Sequence, residues 1–183
     1  QIDSSPFMSV DKPHGIVWSE TGFIVGLGDD GDRLNLVNPR TETVELFAAS
    51  FKGGDETHMA ASQGPTFPKG NIYANKGDTI FDVSEDGDTV RKFAVPSPGV
   101  NIAGLAFDIY KYWNYRLIAT TYDGSVWEID ETGHIEHIAN LGSDVVPSGL
   151  LIAPSDYGEF SGSILVSLAN ENKIMAISVI DHS

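Results

Sequence analysis

The side chains with the most chemistry to offer in this sequence are carboxylates set beside glycine. Gly28-Asp29-Asp30-Gly31-Asp32, Lys76-Gly77-Asp78 and Tyr122-Asp123-Gly124 each place oxygen ligands in a short turn. Hard cations prefer such donors, which makes Asp29, Asp30, Asp32, Asp78 and Asp123 candidate ligands for Ca²⁺ or Mg²⁺. The same dipeptides are what tight hairpins need for positive φ, and the Asp29–Asp32 run lacks EF-hand spacing. A second set, His14, His58, Gln63, Asn101 and Ser148, pairs imidazoles with neutral oxygen donors. A third feature is aromatic. Tyr110, Tyr112, Trp113 and Tyr115 fall within six positions, a contact surface for a protein partner or a sugar ring, or a turn folded over its own sheet.

Composition removes several chemistries. The 183 residues contain no cysteine, so disulfides, thiolate nucleophiles, zinc-thiolate and iron–sulfur sites are all excluded. No Gly-x-Ser-x-Gly elbow or glycine-rich phosphate loop is present, and neither a nucleotide nor a haem cofactor is expected. Eleven Lys and Arg stand against 26 Asp and Glu, a formal net charge of −15. That charge repels phosphate backbones and argues against nucleic acid as a partner. No apolar run is long enough to span a bilayer. A protein partner or a small neutral or cationic ligand fits better, and self-association into a homo-oligomer stays open.

Repeated elements must position these residues. Four segments share one pattern: Arg33–Val37, Thr79–Val83, Ser125–Ile129 and Lys173–Ile177. Each opens on a polar residue and carries Leu, Ile or Val at its second position and Val or Ile at its fifth. Their starts lie about 46, 46 and 48 residues apart, the period of propeller blades. Turn residues then lead three of them into further strands at Thr43–Phe47, Thr89–Phe93 and His134–Ile138. Upstream strands are predicted at Phe23–Leu27, Asn71–Asn75, Arg116–Thr121 and Ser163–Leu168. Upstream again, a Gly precedes a large apolar residue by three positions: Gly15 to Trp18, Gly64 to Phe67, Gly104 to Phe107 and Gly149 to Ile152.

Four antiparallel strands per unit, labelled A to D outward from the axis, predict an all-β propeller as one domain over residues 1–183. Its blades are expected near 11–50, 58–96, 102–141 and 147–180, with residues 2–10 as a closing outer strand for the last. Two arrangements remain open: a complete four-bladed ring, or part of a six- to eight-bladed one. Trp18, Phe67, Phe107 and Trp127 are expected in the core between blades. In a propeller the D-to-A and B-to-C connections share one face, which gathers His14, His58 and the Asp-Gly turns at the channel mouth. The chain opens at Gln1 without an initiator Met, as in a processed or excised sequence, and a location outside the cytoplasm is expected.

The Gly-x-x-aromatic entry, the following strand, the Asp/Asn-Gly turn and the apolar pair resemble the superfamily of SMP-30/gluconolactonase, NHL-repeat and streptogramin-lyase propellers. In its lactonases a divalent metal is held by polar residues just before the Gly of successive A strands. The corresponding positions here are His14, Gln63, Ala103 and Ser148, with no carboxylate among them, so the lactonase metal site is not matched. The lyase branch uses a His and Glu pair near magnesium, and His137 in Ile135-Glu-His-Ile138 falls on an outer strand. The reading is a binding or interaction propeller with a cation site at the channel mouth. A metal-dependent hydrolase or lactonase is the alternative.

Overall fold

A computed structural model describes residues 10, 13–19, 22–27, 33–54 and 56–178. It is an all-β propeller of four blades with 4, 4, 4 and 3 antiparallel strands. Strands A to D of the first blade are β1 (Pro13–Ser19), β2 (Gly22–Leu27), β3 (Leu34–Asn38) and β4 (Thr43–Phe47). The second blade holds β5 (Met59–Ala61), β6 (Ile72–Lys76), β7 (Thr79–Val83) and β8 (Val90–Ala94). The third holds β9 (Ile102–Phe107), β10 (Leu117–Thr121), β11 (Ser125–Ile129) and β12 (Ile135–Asn140). In the fourth, β13 (Pro147–Ile152), β14 (Ile164–Leu168) and β15 (Lys173–Ile177) are described. The closing strand expected at residues 2–10 lies, apart from Val10, outside the described residues. No helix among the described residues is long and apolar enough to cross a membrane.

The C-to-D hairpins follow from their turn residues. Asn38 Oδ1 accepts the Arg40 N–H at 2.9 Å, Asp86 Oδ1 that of Asp88 at 3.0 Å, and Asp130 Oδ1 that of Thr132 at 2.8 Å. Each is a short acceptor folding back on its own backbone, the mechanism that favours Asn and Asp in turns.

Strand alternation then sends each blade's side chains to two faces. The first apolar residue of each B strand pairs with the fifth position of strand C: Phe23 with Val37, Ile72 with Val83, Leu117 with Ile129, Ile164 with Ile177. In the first three blades the second position of strand C points toward the next blade, and Leu34, Ile80 and Val126 are all 0% exposed. Three cores result, each lying between successive blades. Between the second and third, the rings of Phe67, Tyr73, Phe93 and Phe107 meet edge to face.

Inner strands meet in chain order: β1 with β5, β5 with β9, β9 with β13. No contact of comparable extent joins β13 to β1 among the described residues. The expectation for Trp18 is corrected here. Phe67 is buried, and Phe107 and Trp127 pack partly buried against the same core, but Trp18 is 56% exposed. It stands on the face of the first blade that no described blade covers.

One register is also corrected. Strand A of the second blade is Met59–Ala61, and Gly64 to Phe67 lie in the connection that follows it. Pairing onto strand B aligns Ile16, Met59, Leu105 and Leu150 as one repeat position. The residues two before it are therefore His14, Thr57, Ala103 and Ser148. Gln63 is displaced to the opposite side, where it shares a small groove with Trp18, Ser19 and Lys69.

Candidate functional site

The channel mouth is built where the connection from β4 to β5 meets the B-to-C turns of the second and third blades. Asn75, buried near the end of β6, fixes the incoming segment. Its Oδ1 accepts the His58 N–H at 2.6 Å, and its amide donates to the carbonyls of Glu56 at 3.4 Å and Gly77 at 3.3 Å. An Asn held by three backbone groups sets Glu56 and His58 in place before any ligand arrives.

Three side chains meet there. The Tyr122 hydroxyl donates to the Glu56 carboxylate across the boundary between blades. His58 Nε2 stands 4.0 Å from the same carboxylate, is buried, and has no hydrogen-bond partner. Burial pushes the His58 imidazole below its ordinary value, with Glu56 opposing the shift and His14 adding to it. His58 is therefore neutral at pH 7, and the effect of His14 brings the two imidazoles of the sequence reading to one neighbourhood. Burial, then the hydrogen bond and charge of Glu56, push the Tyr122 hydroxyl up to about 12. Beside this cluster opens a groove of about 470 Å³, with Glu56, Lys76, Asn101 and Tyr122 supplying its polar lining. That volume suits a small molecule.

The remaining candidates fall elsewhere. Ser148 is exposed on β13. Asp78 accepts the Gly99 N–H at 2.8 Å and the Thr79 hydroxyl at 2.9 Å, bonds that hold its carboxyl below the usual range. Asp123 accepts Thr121 Oγ1 at 2.6 Å, the Ser125 N–H at 3.1 Å and Ser97 Oγ at 3.3 Å. Both carboxylates are thus engaged in shaping their turns and tying neighbouring segments. Among the described residues no group of three or more His, Asp or Glu is placed to hold a metal ion. Asp29, Asp30 and Asp32 lie outside the described residues.

The aromatic segment is a clasp between blades. Asp108, 1% exposed at the end of β9, accepts the backbone N–H groups of Tyr110, Trp113 and Tyr115 at 3.0, 2.6 and 3.1 Å. The loop so wound sends Trp113 Nε1 to the Gly162 carbonyl at 2.9 Å and lays Tyr112 over Gly162, where a Cβ would meet its ring. Tyr112 and Trp113 therefore spend their area on the fourth blade, and Tyr110 is the exposed member. His137 packs edge-on against Trp127, with ring centroids 4.9 Å apart.

Glu56, one of the oxygen donors expected on the mouth face, and Tyr122, which was not among the candidate ligands, complete the site. The signal for them was positional: both fall in connections that the repeat directs to the mouth.

No protein-family model and no curated protein matches the sequence. Solved structures do. A catalytically inactive variant of virginiamycin B lyase from Staphylococcus aureus, determined with quinupristin, superposes with a TM-score of 0.68 at 13% identity. The match covers 93% of this chain and 57% of that one. A chain of a nidogen/laminin complex gives 0.66 at 14%, covering 91% and 59%. The extracellular domain of a one-component system from B. thetaiotaomicron gives 0.62 at 10%, covering 100% and 24%. At these identities the likeness establishes the propeller fold. The chain spans just over half the length of the first two.

Proposed function

We infer that this chain is a binding module whose channel mouth takes a small neutral or cationic ligand. The observation that carries the reading is the open groove lined by the Glu56–Tyr122 pair, with the buried, unpartnered His58 Nε2 standing 4.0 Å from the same carboxylate. A ligand hydroxyl or amine can donate to Glu56, whose carboxylate the neutral imidazole backs at 4.0 Å. The charge of −15 favours a cation over an anion. Structural neighbours include a lyase and a chain of a nidogen/laminin complex, so the fold by itself selects neither chemistry.

The alternative is a metal-dependent hydrolase or lactonase. It is disfavoured because the repeat positions His14, Thr57, Ala103 and Ser148 offer no carboxylate. A Ca²⁺ or Mg²⁺ site would draw on the carboxylates of the Asp29–Asp32 turn. Placement outside the cytoplasm is part of the same proposal, and the similarity to an extracellular domain supports it.

Saturation-transfer NMR with a panel of amines, amides and sugars tests the reading. Hits should weaken at least tenfold in both Glu56→Gln and His58→Ala. Hits indifferent to both variants would reject the mouth as the site. Turnover of a lactone that requires added Ca²⁺ or Mg²⁺ and is lost in Glu56→Gln would establish the enzyme instead. A rise in melting temperature with either cation, abolished by Asp30→Asn, would establish the cation site.

A further inference from the structure

Both signs of charge line the groove at the mouth. One is the Glu56 carboxylate, held by the Tyr122 hydroxyl. The other belongs to the turn after β6 and its neighbour from the third blade, where Lys76, Gly77 and Asn101 supply an ammonium, a backbone N–H and an amide. Glu56 and Lys76 do not pair with each other, and among the described residues Lys76 has no ion-pair partner. Neither the Gly77 N–H nor the Asn101 side-chain amide has an acceptor among them. Asp78, next along the turn, gives its oxygens to the Gly99 N–H and the Thr79 hydroxyl and is not part of the lining. An ammonium and a carboxylate that share a groove without meeting leave a gap for a ligand that carries both opposite charges.

Two glycines keep the donor side clear. A Cβ on Gly54 would lie 3.7 Å from the Gly77 nitrogen and 3.9 Å from Lys76 Cγ. Those are ordinary contact distances, and Gly54 lies outside the left-handed region, so neither packing nor backbone demands glycine there. Its missing side chain leaves space beside the Gly77 N–H. The two sides of the groove are held in register by Asn75, whose one amide nitrogen donates to the carbonyls of both Glu56 and Gly77. From the third blade, the Ile102 N–H reaches the Gly77 carbonyl at 3.0 Å, and the Tyr122 N–H that of Asn101 at 3.1 Å. The arrangement is therefore set before a ligand enters, which lowers the cost of binding.

We propose that the groove takes a free amino acid, its ammonium on Glu56 and its carboxylate on the Gly77 N–H, with Lys76 and Asn101 alongside. This rests on the mouth being the ligand site and names what that site holds. Both contacts are charge-assisted, the stronger class of hydrogen bond. A zwitterion carries no net charge, so the −15 of the chain does not repel it as a whole. A simple amine would satisfy Glu56 and leave the donors unmet. A simple carboxylate would meet the donors against the repulsion of Glu56 and of the whole chain.

NMR titration of the ¹⁵N-labelled chain with free L-amino acids, and with the amide and N-acetyl derivative of each, tests this. The free amino acid that binds best should bind about tenfold more tightly than either of its capped forms. It should also move the Gly77 amide resonance, which the amide derivative should leave in place. Gly54→Ala, which fills space beside that N–H, and Lys76→Met, at an exposed strand end, should each lower the free amino acid to the affinity of its amide. Glu56→Gln should lower it to that of the N-acetyl form, with the far-UV spectrum unchanged in all three variants. Amides that bind as tightly as free amino acids, through Glu56, would overturn the proposal and leave the mouth a site for amines. N-acetyl forms that bind as tightly as free amino acids would overturn it too. Absence of Glu56-dependent binding by all three forms would overturn both the proposal and the mouth as the site.

Discussion

Val126 and Ile174 are the same residue of the repeat in two situations. Both are branched aliphatics at the second position of strand C, both follow a polar residue, and both are hydrogen-bonded into an antiparallel ladder. One is sealed by the next blade and the other stands in water. Sequence assigns a side chain to a face; only the neighbouring blade decides whether that face is core. The sharpest way to break the comparison is to place a charge at each. Val126→Asp should cost more than about 4 kcal/mol, because a carboxylate there has neither water nor partner. Ile174→Asp in the single chain should stay within about 0.5 kcal/mol. Urea unfolding measures both, and equal penalties would mean that the end face is already covered.

A seam also depends on polar groups that tie its two blades together. Asp108 gathers three N–H groups so that Trp113 can reach Gly162 on the fourth blade. Asp108→Ala leaves those donors without an acceptor and frees the aromatic loop, at an expected cost of about 3 kcal/mol. Trp113 fluorescence should shift red in the same variant. A loss below about 1 kcal/mol would show that the loop holds through ring packing alone, and that apolar area is sufficient at this seam.

How much of this was legible follows from the same contrast. The strand-C pattern and the Asn/Asp turns are local, so they could be read from residue types, and all four C strands lie within a residue of their expected limits. The A strand of the second blade was not legible. His58-Met-Ala-Ala61 has no glycine and ends on a small residue, while Gly64 and Phe67 imitate the signature six residues later. Phe67 returns from the connection to fill core space of its own accord, so the aromatic needed by the core and the strand needed by the sheet come from different segments. Glu56, His58 and Tyr122 meet across a blade boundary, a relation that no spacing within one repeat encodes.

Charge on a face gives the next contrast. The position held by Ala176 on the open face of the fourth blade is Asp82 in the second, 2% exposed against the third blade. Asp82 survives there because Arg91 binds one oxygen through Nε at 2.9 Å and a terminal nitrogen at 2.6 Å, and Asn71 donates to the other at 2.7 Å. Removing it strands Asn71 and not Arg91, whose side chain is 64% exposed and returns to water. Asp82→Ala is therefore expected to cost about 2 kcal/mol, less than a fully buried pair would. Ala176→Asp, which has no such partners but faces no described blade, should change stability by no more than about 0.5 kcal/mol. A penalty as large as that of Asp82→Ala in urea unfolding would mean that this face is covered.

The smallest expected effect lies at the axis, where a sealed polar atom has no partner. His58 is held below its ordinary value of 6.5, chiefly by burial. A base whose folded value is depressed binds fewer protons in the native state than in the unfolded chain. Its contribution to stability is complete above pH 6.5 and is lost as pH falls through the depressed value. The melting temperature should thus decline as the solution is taken below pH 6.5, and His58→Gln, which cannot take up a proton, should flatten that decline. Carboxylates that shape the turns, Asp78 among them, have depressed values of their own and lose their contribution at lower pH, so the two effects separate along the pH axis. An unchanged slope in His58→Gln would assign the whole decline to carboxylates. It would also mean that the imidazole is already hydrated through the mouth and not sealed behind the Glu56 carboxylate.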